Sequence, residues 1–225
     1  MDDVGDAAQF IKDPIGFRDS LCSCQIGEAG DGGSRVVVGV AEVHALFGDV
    51  DLGPQPVMAP PPKADVAARR LATINPDIEI TAIAHRMDDA ELRAQVDAAD
   101  VVLDGCDNFA TRFQVNDACV AAGTRLISGA AIRLEGQVAE FGPDYSASPC
   151  YRCLYKEADE SLENCAGNGV LSPVPGAIGA LMAVEALKFL AGIESRRGVL
   201  RLFDAISGEF RAVGVRKRPD CPACG

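Results

Sequence analysis

The stretch that decides the fold is D-V-V-L-D-G-C-D-N, residues 100–108. Its first part, Asp100 to Leu103, is a short apolar run typical of a parallel strand buried on both faces. The residues that follow, Asn108 to Ala122, predict a helix that ends at Gly123. A buried strand followed by acidic residues and a helix is typical of an open α/β sheet, which binds ligands beyond the carboxyl ends of its strands. We therefore expect Asp107 to lie at a binding edge.

Strands and helices alternate on both sides of this stretch. The preceding elements are predicted as a helix at Asp65–Asn75, a strand at Asp77–Ala84 and a helix from Asp88 or Asp89 to Ala98. The following elements are strands at Arg125–Ser128 and Gly136–Phe141, a loop at 143–172, an apolar helix at Gly176–Ala191, and a β-hairpin of Val199–Asp204 and Glu209–Val215. This order predicts an α/β fold with an open sheet and helices on both faces.

Residues 1–61 follow no such order. Strand periodicity is visible only at Arg35–Val40, and Pro54–Pro62 is rich in proline. We expect this N-terminal segment to be poorly ordered or irregularly packed, and residues 62–225 to form the domain.

Four of the nine cysteines form two C-x-x-C pairs. Cys150 and Cys153 lie in C-Y-R-C, and Cys221 and Cys224 lie in C-P-A-C-G. Each tight turn directs two thiolates to one point, so the two turns together predict a closed, structural, four-thiolate Zn²⁺ site that clips the C-terminal hairpin to the domain. Two disulfides and a thioredoxin-like redox C-x-x-C are the alternatives. Zinc is favoured because the chain shows no secretory-signal pattern.

The charge and the apolar runs of the chain argue against a nucleic-acid partner and against a membrane span. The net charge is −12 and the pI is about 4.6, which argues against nucleic-acid binding. The longest apolar run, Gly176 to Leu190, contains Glu185 and Lys188 and is too short for a bilayer. We expect a soluble, cytoplasmic protein whose 225 residues, 48% of them hydrophobic, bury one core.

Several linked motifs carry a resemblance to a known family. They are both C-x-x-C pairs, D-G-C-D-N at 104–108, S-G-A-A-I-R-L-E-G-Q at 128–137 and N-C-A-G-N-G-V at 164–170. With these motifs in order, residues from about 62 to 225 resemble the HesA/MoeB/ThiF family, the bacterial relatives of ubiquitin-activating enzymes. The resemblance implies a Rossmann-like sheet of the activating-enzyme type. It also implies a two-fold homodimer that uses ATP and Mg²⁺ to adenylate the C-terminal glycine of a small ubiquitin-like sulfur-carrier protein ending in Gly-Gly, for thiamine or molybdopterin biosynthesis.

The resemblance assigns roles to three residues at the nucleotide site. Asp107 matches the family aspartate that positions Mg²⁺, Asn108 matches its nucleotide-contacting neighbour, and Lys63 matches a lysine that contacts the phosphates. From the residues alone, Asp107 is equally well explained as a helix cap, and Lys63 as an ordinary solvated lysine. Arg112 lies one helical turn beyond Asn108. It faces the same edge or forms a surface salt bridge, and we expect the salt bridge.

The resemblance also singles out Cys165 as a catalytic residue. Some family members use a cysteine of this loop to bond covalently to the sulfur carrier, whereas others adenylate without it. A small buried residue is an equally good interpretation. Cys106 and Cys119 fit core packing.

One part of the family pattern is absent. Members open with a strand, a G-x-G-G-x-G loop and a helix that together cradle ATP. Here Gly30, Gly32 and Gly33 precede the strand-like S-R-V-V-V-G-V, and A-E-V-H-A-L-F follows it. The first β-α-β unit is therefore predicted to be missing or aberrant, through a reading-frame disruption or through divergence, and adenylation to be poor. The second hypothesis is a catalytically inactive zinc-binding module of the same fold that binds a partner or dimerises.

Overall fold

The computed structural model describes residues 62–156, 169–193 and 197–225, and two earlier strands by their backbone. The strands are β1 (Ser23–Glu28), β2 (Val36–Val40), β3 (Ile78–Ile83), β4 (Val101–Gly105), β5 (Arg125–Ile132), β6 (Glu135–Phe141), β7 (Val199–Asp204) and β8 (Glu209–Gly214). The helices are α1 (Lys63–Ile74), α2 (Asp89–Asp97), α3 (Phe109–Ala122), α4 (Tyr151–Leu154) and α5 (Pro173–Leu190).

All eight strands belong to one mixed sheet, in the order β3-β1-β2-β4-β5-β6-β7-β8. Its centre is parallel, because β4 pairs in parallel with both β2 and β5. β1 runs antiparallel between β2 and β3, and β5 to β8 form an antiparallel meander. The chain passes from β2 outward to β3 and returns to β4 on the other side of β2. The strand order therefore reverses between β2 and β4, where Val40 lies opposite Gly105. Open sheets form a ligand crevice at such a point, beyond the carboxyl ends of the strands.

Two hydrophobic cores cover the two faces of the sheet, because alternate strand residues point to opposite sides. One core packs Val102 and Leu126 with residues of α2 and α3. The other packs Val101 and Ile127 with residues of α5. The predicted arrangement, an open sheet with helices on both faces, is therefore confirmed.

Two glycines of the S-G-A-A-I-R-L-E-G-Q motif allow α5 to lie close to the sheet. A Cβ atom at Gly129 would lie 2.2 Å from Met182 Sδ, and one at Gly136 would lie 2.4 Å from Ile178 Cδ1. This motif therefore serves packing. Within the described residues, α5 is also the one helix long and apolar enough for a membrane span, with a mean hydropathy of 1.4. Its packing against β4, β5 and β6 identifies it as a core helix of the fold instead.

The elements predicted between residues 62 and 225 are present, with two differences. β5 continues to Ile132 and forms a hairpin with β6, so the sheet is more antiparallel than the alternation suggested. In the described part of the predicted 143–172 loop, the helical turn α4 begins directly after Cys150 and includes Cys153.

The N-terminal segment differs more from expectation. The strand predicted at Arg35–Val40 is β2. The expectation of irregular packing is wrong for β1 and β2, which are both strands within the sheet. Short strands between other strands need little periodicity of their own, because their neighbours impose the pairing. The 41–61 segment lies outside the described residues, so the boundary between residues 61 and 62 stays a prediction.

Candidate nucleotide and metal sites

Asp107 lies on the loop that follows β4, at the crevice between β2 and β4. Its side chain is exposed. Among the described residues, Asp107 forms one side-chain hydrogen bond, a long one of 3.4 Å donated by Asn108 Nδ2 to Asp107 Oδ1. The cap of α3 is Asn108, whose Oδ1 accepts a 2.8 Å hydrogen bond from the Thr111 backbone N–H. The helix-cap interpretation of Asp107 is therefore wrong, and its carboxylate is available to a ligand.

A buried network of side chains lies behind this loop. Arg112 Nη1 donates to Ser128 Oγ at 3.0 Å, and Arg112 Nη2 donates to the Gly129 carbonyl at 2.9 Å and to the Cys106 carbonyl. Asp104 Oδ1 accepts from the Cys106 N–H at 2.9 Å, and Asp104 Oδ2 lies 3.6 Å from Arg112 Nη1. Arg112 is only 6% exposed, so the expected surface salt bridge is wrong. Arg112 lies on the face of α3 that packs against the ends of β4 and β5, and its guanidinium donates to backbone carbonyl groups there.

Cys106 and Cys119 lie in the core, as predicted. Burial, together with the nearby Asp104 carboxylate, raises the pKa of both thiols. Both therefore stay neutral near pH 7 and do not provide the reactive thiolate of a nucleophile.

Lys63 is the first residue of α1 and is partly exposed. α1 ends close to the start of β3 and packs along that strand. Its first turn therefore lies near the carboxyl end of β3, on the same edge of the sheet as Asp107. This position is compatible with the predicted contact to phosphates, which stays a prediction.

The two C-x-x-C turns meet in space. The four sulfur atoms lie within 4.8 Å of one another. The Cys150–Cys221 and Cys153–Cys224 Sγ distances are both 3.6 Å. A tetrahedral zinc with bonds of about 2.3 Å separates its sulfurs by roughly 3.8 Å, so the set fits Zn²⁺.

The alternatives for these cysteines fit less well. Disulfide sulfurs are about 2.05 Å apart, and all six cysteines of the described residues are free thiols. A redox C-x-x-C needs an accessible thiolate of low pKa, but Cys150 and Cys153 are buried, and burial raises the pKa of the Cys150 thiol. Burial also acts to raise the pKa of Cys221, but hydrogen bonds from the Ala223 and Cys224 N–H groups and with the Cys150 and Cys224 thiols together lower that pKa to about 7. Cys221 is buried as well, so this thiol lacks the access that a redox site needs.

Helix α3 holds the first C-x-x-C turn in place. The side-chain oxygen of the fully buried Asn116 accepts a 2.8 Å hydrogen bond from the Tyr151 N–H. Asp117 forms two 2.7 Å bonds with Arg152, whose guanidinium also lies 4.2 Å from the Phe113 ring centroid. One helix therefore follows the loop of Asp107 at its N-terminus and supports the four-cysteine cluster beside its middle.

Sequence reasoning missed the Asp104–Arg112–Ser128 network and Asn116. Asp104 and Ser128 did offer a signal, because each is a polar residue near the carboxyl end of an apolar strand. Asn116 offered none, since its partner is a backbone N–H thirty-five positions away. Cys165 lies outside the described residues, and its catalytic role stays a prediction.

The sequence agrees with a known family over most of its length. The family model for ThiF matches residues 44–223. The chain belongs to the ThiF family. The resemblance to HesA/MoeB/ThiF proteins is thereby confirmed, and the match begins at residue 44 rather than near residue 62.

Three curated relatives illustrate the match. The chain is 44% identical over 164 residues to the sulfur carrier protein ThiS adenylyltransferase of Escherichia coli, covering 73% of this chain and 65% of the relative. It is 43% identical over 165 residues to the E. coli molybdopterin-synthase adenylyltransferase, and the match covers 73% of this chain and 66% of that relative. It is 41% identical over 197 residues to a sulfur carrier protein adenylyltransferase of Thermus thermophilus, and the match covers 85% of this chain and 70% of that relative. The chain thus spans slightly less than two thirds of each of the two E. coli proteins.

Solved structures confirm the fold. The crystal structure of E. coli MccB with ATP has a TM-score of 0.60 at 22% identity, covering 72% of this chain and 50% of MccB. MccB with N-formylated MccA also has a TM-score of 0.60, at 21% identity, covering 72% and 52%.

Proposed function

We propose that this ThiF-family chain adenylates the C-terminal glycine of a small ubiquitin-like sulfur-carrier protein with ATP and Mg²⁺. The observation that carries the proposal is the exposed carboxylate of Asp107 at the reversal point of the strand order. The names of the relatives, which include adenylyltransferases of ThiS and of molybdopterin synthase, support the reaction type. The product would serve thiamine or molybdopterin biosynthesis in the cytoplasm.

The residues of this edge suit the reaction. A carrier carboxylate oxygen must bond to the α-phosphorus of ATP while the bond to pyrophosphate breaks, and the two reactants are both negatively charged. Asp107 would hold Mg²⁺, which neutralises phosphate charge when bound. Lys63 would place a further positive charge against the phosphates, and the N-terminus of α3 adds a favourable dipole beside Asn108.

ATP–pyrophosphate exchange tests the proposal directly. The chain is incubated with ATP, Mg²⁺, labelled pyrophosphate and a carrier protein ending in Gly-Gly. We expect exchange that requires the carrier, and no exchange with a matched carrier that lacks the last glycine. The sequence of residues 41–61 lacks the glycine loop, so we expect a slower rate than that of the E. coli relatives.

The alternative is a catalytically inactive zinc-binding module of the same fold that binds a partner or dimerises. The missing glycine loop is the one feature in its favour, and the names of the relatives do not favour it. Carrier binding without any exchange above background would establish this alternative and contradict the adenylation proposal.

We further propose that Cys150, Cys153, Cys221 and Cys224 bind one structural Zn²⁺. The closed set of four sulfurs leaves no coordination position for substrate, so the metal would stabilise the chain end and take no part in the chemistry. Elemental analysis of the purified protein should give one zinc per chain. A zinc content near zero in protein purified without chelators would contradict this.

A homodimer is proposed from the outer face of α5. Val184 and Leu187 are 50% and 66% exposed there, opposite the face that packs on the sheet. Two copies that pair through this face would remove both side chains from water. Light scattering at micromolar concentration should give twice the mass of 23.5 kDa, and the double substitution Val184→Glu, Leu187→Glu should give the monomer. A monomeric unaltered protein would contradict the proposal.

Cys165 is proposed as the residue that bonds covalently to the carrier: its thiolate would attack the carbonyl carbon of the adenylated C-terminal glycine, AMP would leave, and a thioester would remain. A Cys165→Ser variant should keep exchange, because adenylation precedes that bond, and should lose the thiol-cleavable adduct on a denaturing gel. An adduct that persists in the variant would contradict this role.

A further inference from the structure

The side chain of Asp107 has little support of its own. Within the described part of the chain, the 3.4 Å hydrogen bond from Asn108 Nδ2 is the one hydrogen bond that its carboxylate accepts. The direction of its carboxylate therefore depends on the backbone that precedes and follows it. A Mg²⁺ ligand requires near-ideal geometry, so the residues that fix this backbone affect metal binding.

The peptide groups before Asp107 are fixed by two buried charged side chains. The Cys106 N–H is held by Asp104 Oδ1 at 2.9 Å. The Cys106 carbonyl, which belongs to the same peptide plane as the Asp107 N–H, accepts from Arg112 Nη2. After Asp107, the Asn108 cap fixes the start of α3. Asp107 is thus held on both sides.

Arg112 joins this loop to the neighbouring strand. The same guanidinium that binds the Cys106 carbonyl also donates to Ser128 Oγ at 3.0 Å and to the Gly129 carbonyl at 2.9 Å. Only a planar fork of several N–H groups reaches three such acceptors at once. The loop after β4 is therefore bound to the end of β5, and the two parallel strands set its position.

Stability alone does not account for an ion pair in this place. Arg112 is 6% and Asp104 1% exposed. Removing two such charges from water is costly, and apolar residues of similar volume often serve packing equally well. A role in fixing the loop backbone accounts for the charged pair, because its hydrogen bonds are directional and apolar side chains form none.

We infer that Arg112 is a positioning residue for metal binding: through Asp104 and the Cys106 peptide it sets the carboxylate of Asp107 for Mg²⁺. This inference rests on the proposed function. Residues that orient metal ligands from behind typically change metal affinity or activity by about 10- to 100-fold when they are replaced.

The test compares Arg112→Met and Arg112→Lys with the unaltered chain. The Mg²⁺ concentration for half-maximal pyrophosphate exchange should rise by about tenfold or more in both variants. Lysine keeps the charge but lacks the fork, so Arg112→Lys should resemble Arg112→Met. A half-maximal Mg²⁺ concentration for Arg112→Lys within about twofold of the unaltered chain would overturn the inference.

A second measurement does not depend on activity. Mn²⁺ binding in the presence of a non-hydrolysable ATP analogue, followed by electron paramagnetic resonance, should weaken by a similar factor in both variants. Ser128→Ala keeps the two carbonyl contacts of Arg112, folds with less disturbance and should show a smaller shift in the same direction. Unchanged Mn²⁺ affinity in all three variants would overturn the inference.

Arg201→Met is the matched control. Arg201 also forms an ion pair with a buried acid, Glu185, at 3.3 Å, but it lies on β7, away from the loop after β4. Its loss should lower the melting temperature without moving the Mg²⁺ dependence. Equal shifts of the half-maximal Mg²⁺ concentration in Arg201→Met and Arg112→Met would reduce Arg112 to a structural role.

The two measurements also separate this inference from the proposed function. If the unaltered chain shows no exchange but its Mn²⁺ binding still weakens when Arg112 is replaced, the proposed function is overturned and the inference stands.

Discussion

The four-cysteine cluster and the loop of Asp107 lie along one helix, α3, and differ in how they present their ligand atoms. The cluster is closed: three of its cysteines are buried, and all four sulfurs lie within 4.8 Å of one another. The loop is open, because the Asp107 carboxylate is exposed and only the backbone around it is held. A structural metal site needs all of its ligands at once, whereas a substrate site must leave ligand positions free. Substitutions in the two regions should therefore separate stability from activity.

The largest effect is expected at the closed cluster. Cys153→Ser removes one of four thiolates, and we expect the variant to lose zinc. The free energy of unfolding should fall by about 3–5 kcal/mol, which is part of the roughly 10 kcal/mol that structural zinc contributes in small domains. The melting temperature should fall by roughly 10 °C. Calorimetry measures the melting temperature, and metal analysis of the same sample measures its zinc content. A metal-free variant with an unchanged melting temperature would show that the cluster does not stabilise the fold.

The next effect is expected at the open loop, and in activity alone. Asp107→Asn keeps the size of the side chain and removes its charge. Pyrophosphate exchange should fall by about 100-fold, or roughly 2.7 kcal/mol of transition-state stabilisation. The melting temperature should change by less than about 1 °C, because the side chain is exposed. A large loss of stability would mean that this loop, like the cluster, serves the fold.

A smaller effect is expected where α3 supports the cluster. Asn116→Ala leaves the buried N–H of Tyr151 without its acceptor, which costs about 1–3 kcal/mol. Because Tyr151 follows a cysteine of the cluster, zinc should also dissociate faster in a chelator competition. Zinc release at the unaltered rate, despite lower stability, would show that the support does not reach the metal.

The smallest effect is expected one residue further along. Asp117→Ala removes the two-bonded pair with Arg152, but the Asp117 side chain is 45% exposed. Partly solvated pairs contribute about 0.5 kcal/mol, so urea unfolding should shift only slightly. The two neighbouring variants form a matched pair, and an Asp117→Ala effect as large as that of Asn116→Ala would contradict the role given to burial.

Sequence patterns anticipated the parts of both regions that depend on neighbours along the chain. Asp107 follows a buried strand directly, so its place at the sheet edge could be predicted. The two C-x-x-C turns predicted two pairs of thiols for the same reason, and the pairs were also predicted to meet in one four-thiolate site, as they do. Arg112 could not be placed, since no periodicity shows whether a long side chain turns toward solvent or toward the ends of two strands. β1 was missed because a six-residue strand between two others draws its pairing from them.

The sequence by itself determined the order of helices and strands from residue 62 onward, the acidic end of β4 and the two chelating turns, because each depends on contacts a few residues apart. Only the tertiary structure decided which thiols of the two turns lie nearest, Cys150 to Cys221 and Cys153 to Cys224. It also decided that Arg112 reaches Ser128 and Gly129. Local periodicity carries no information about which distant residues meet. The packing of α3 and the four-cysteine cluster on one face of the sheet, with α5 on the other, selects those partners and so sets the geometry of both sites.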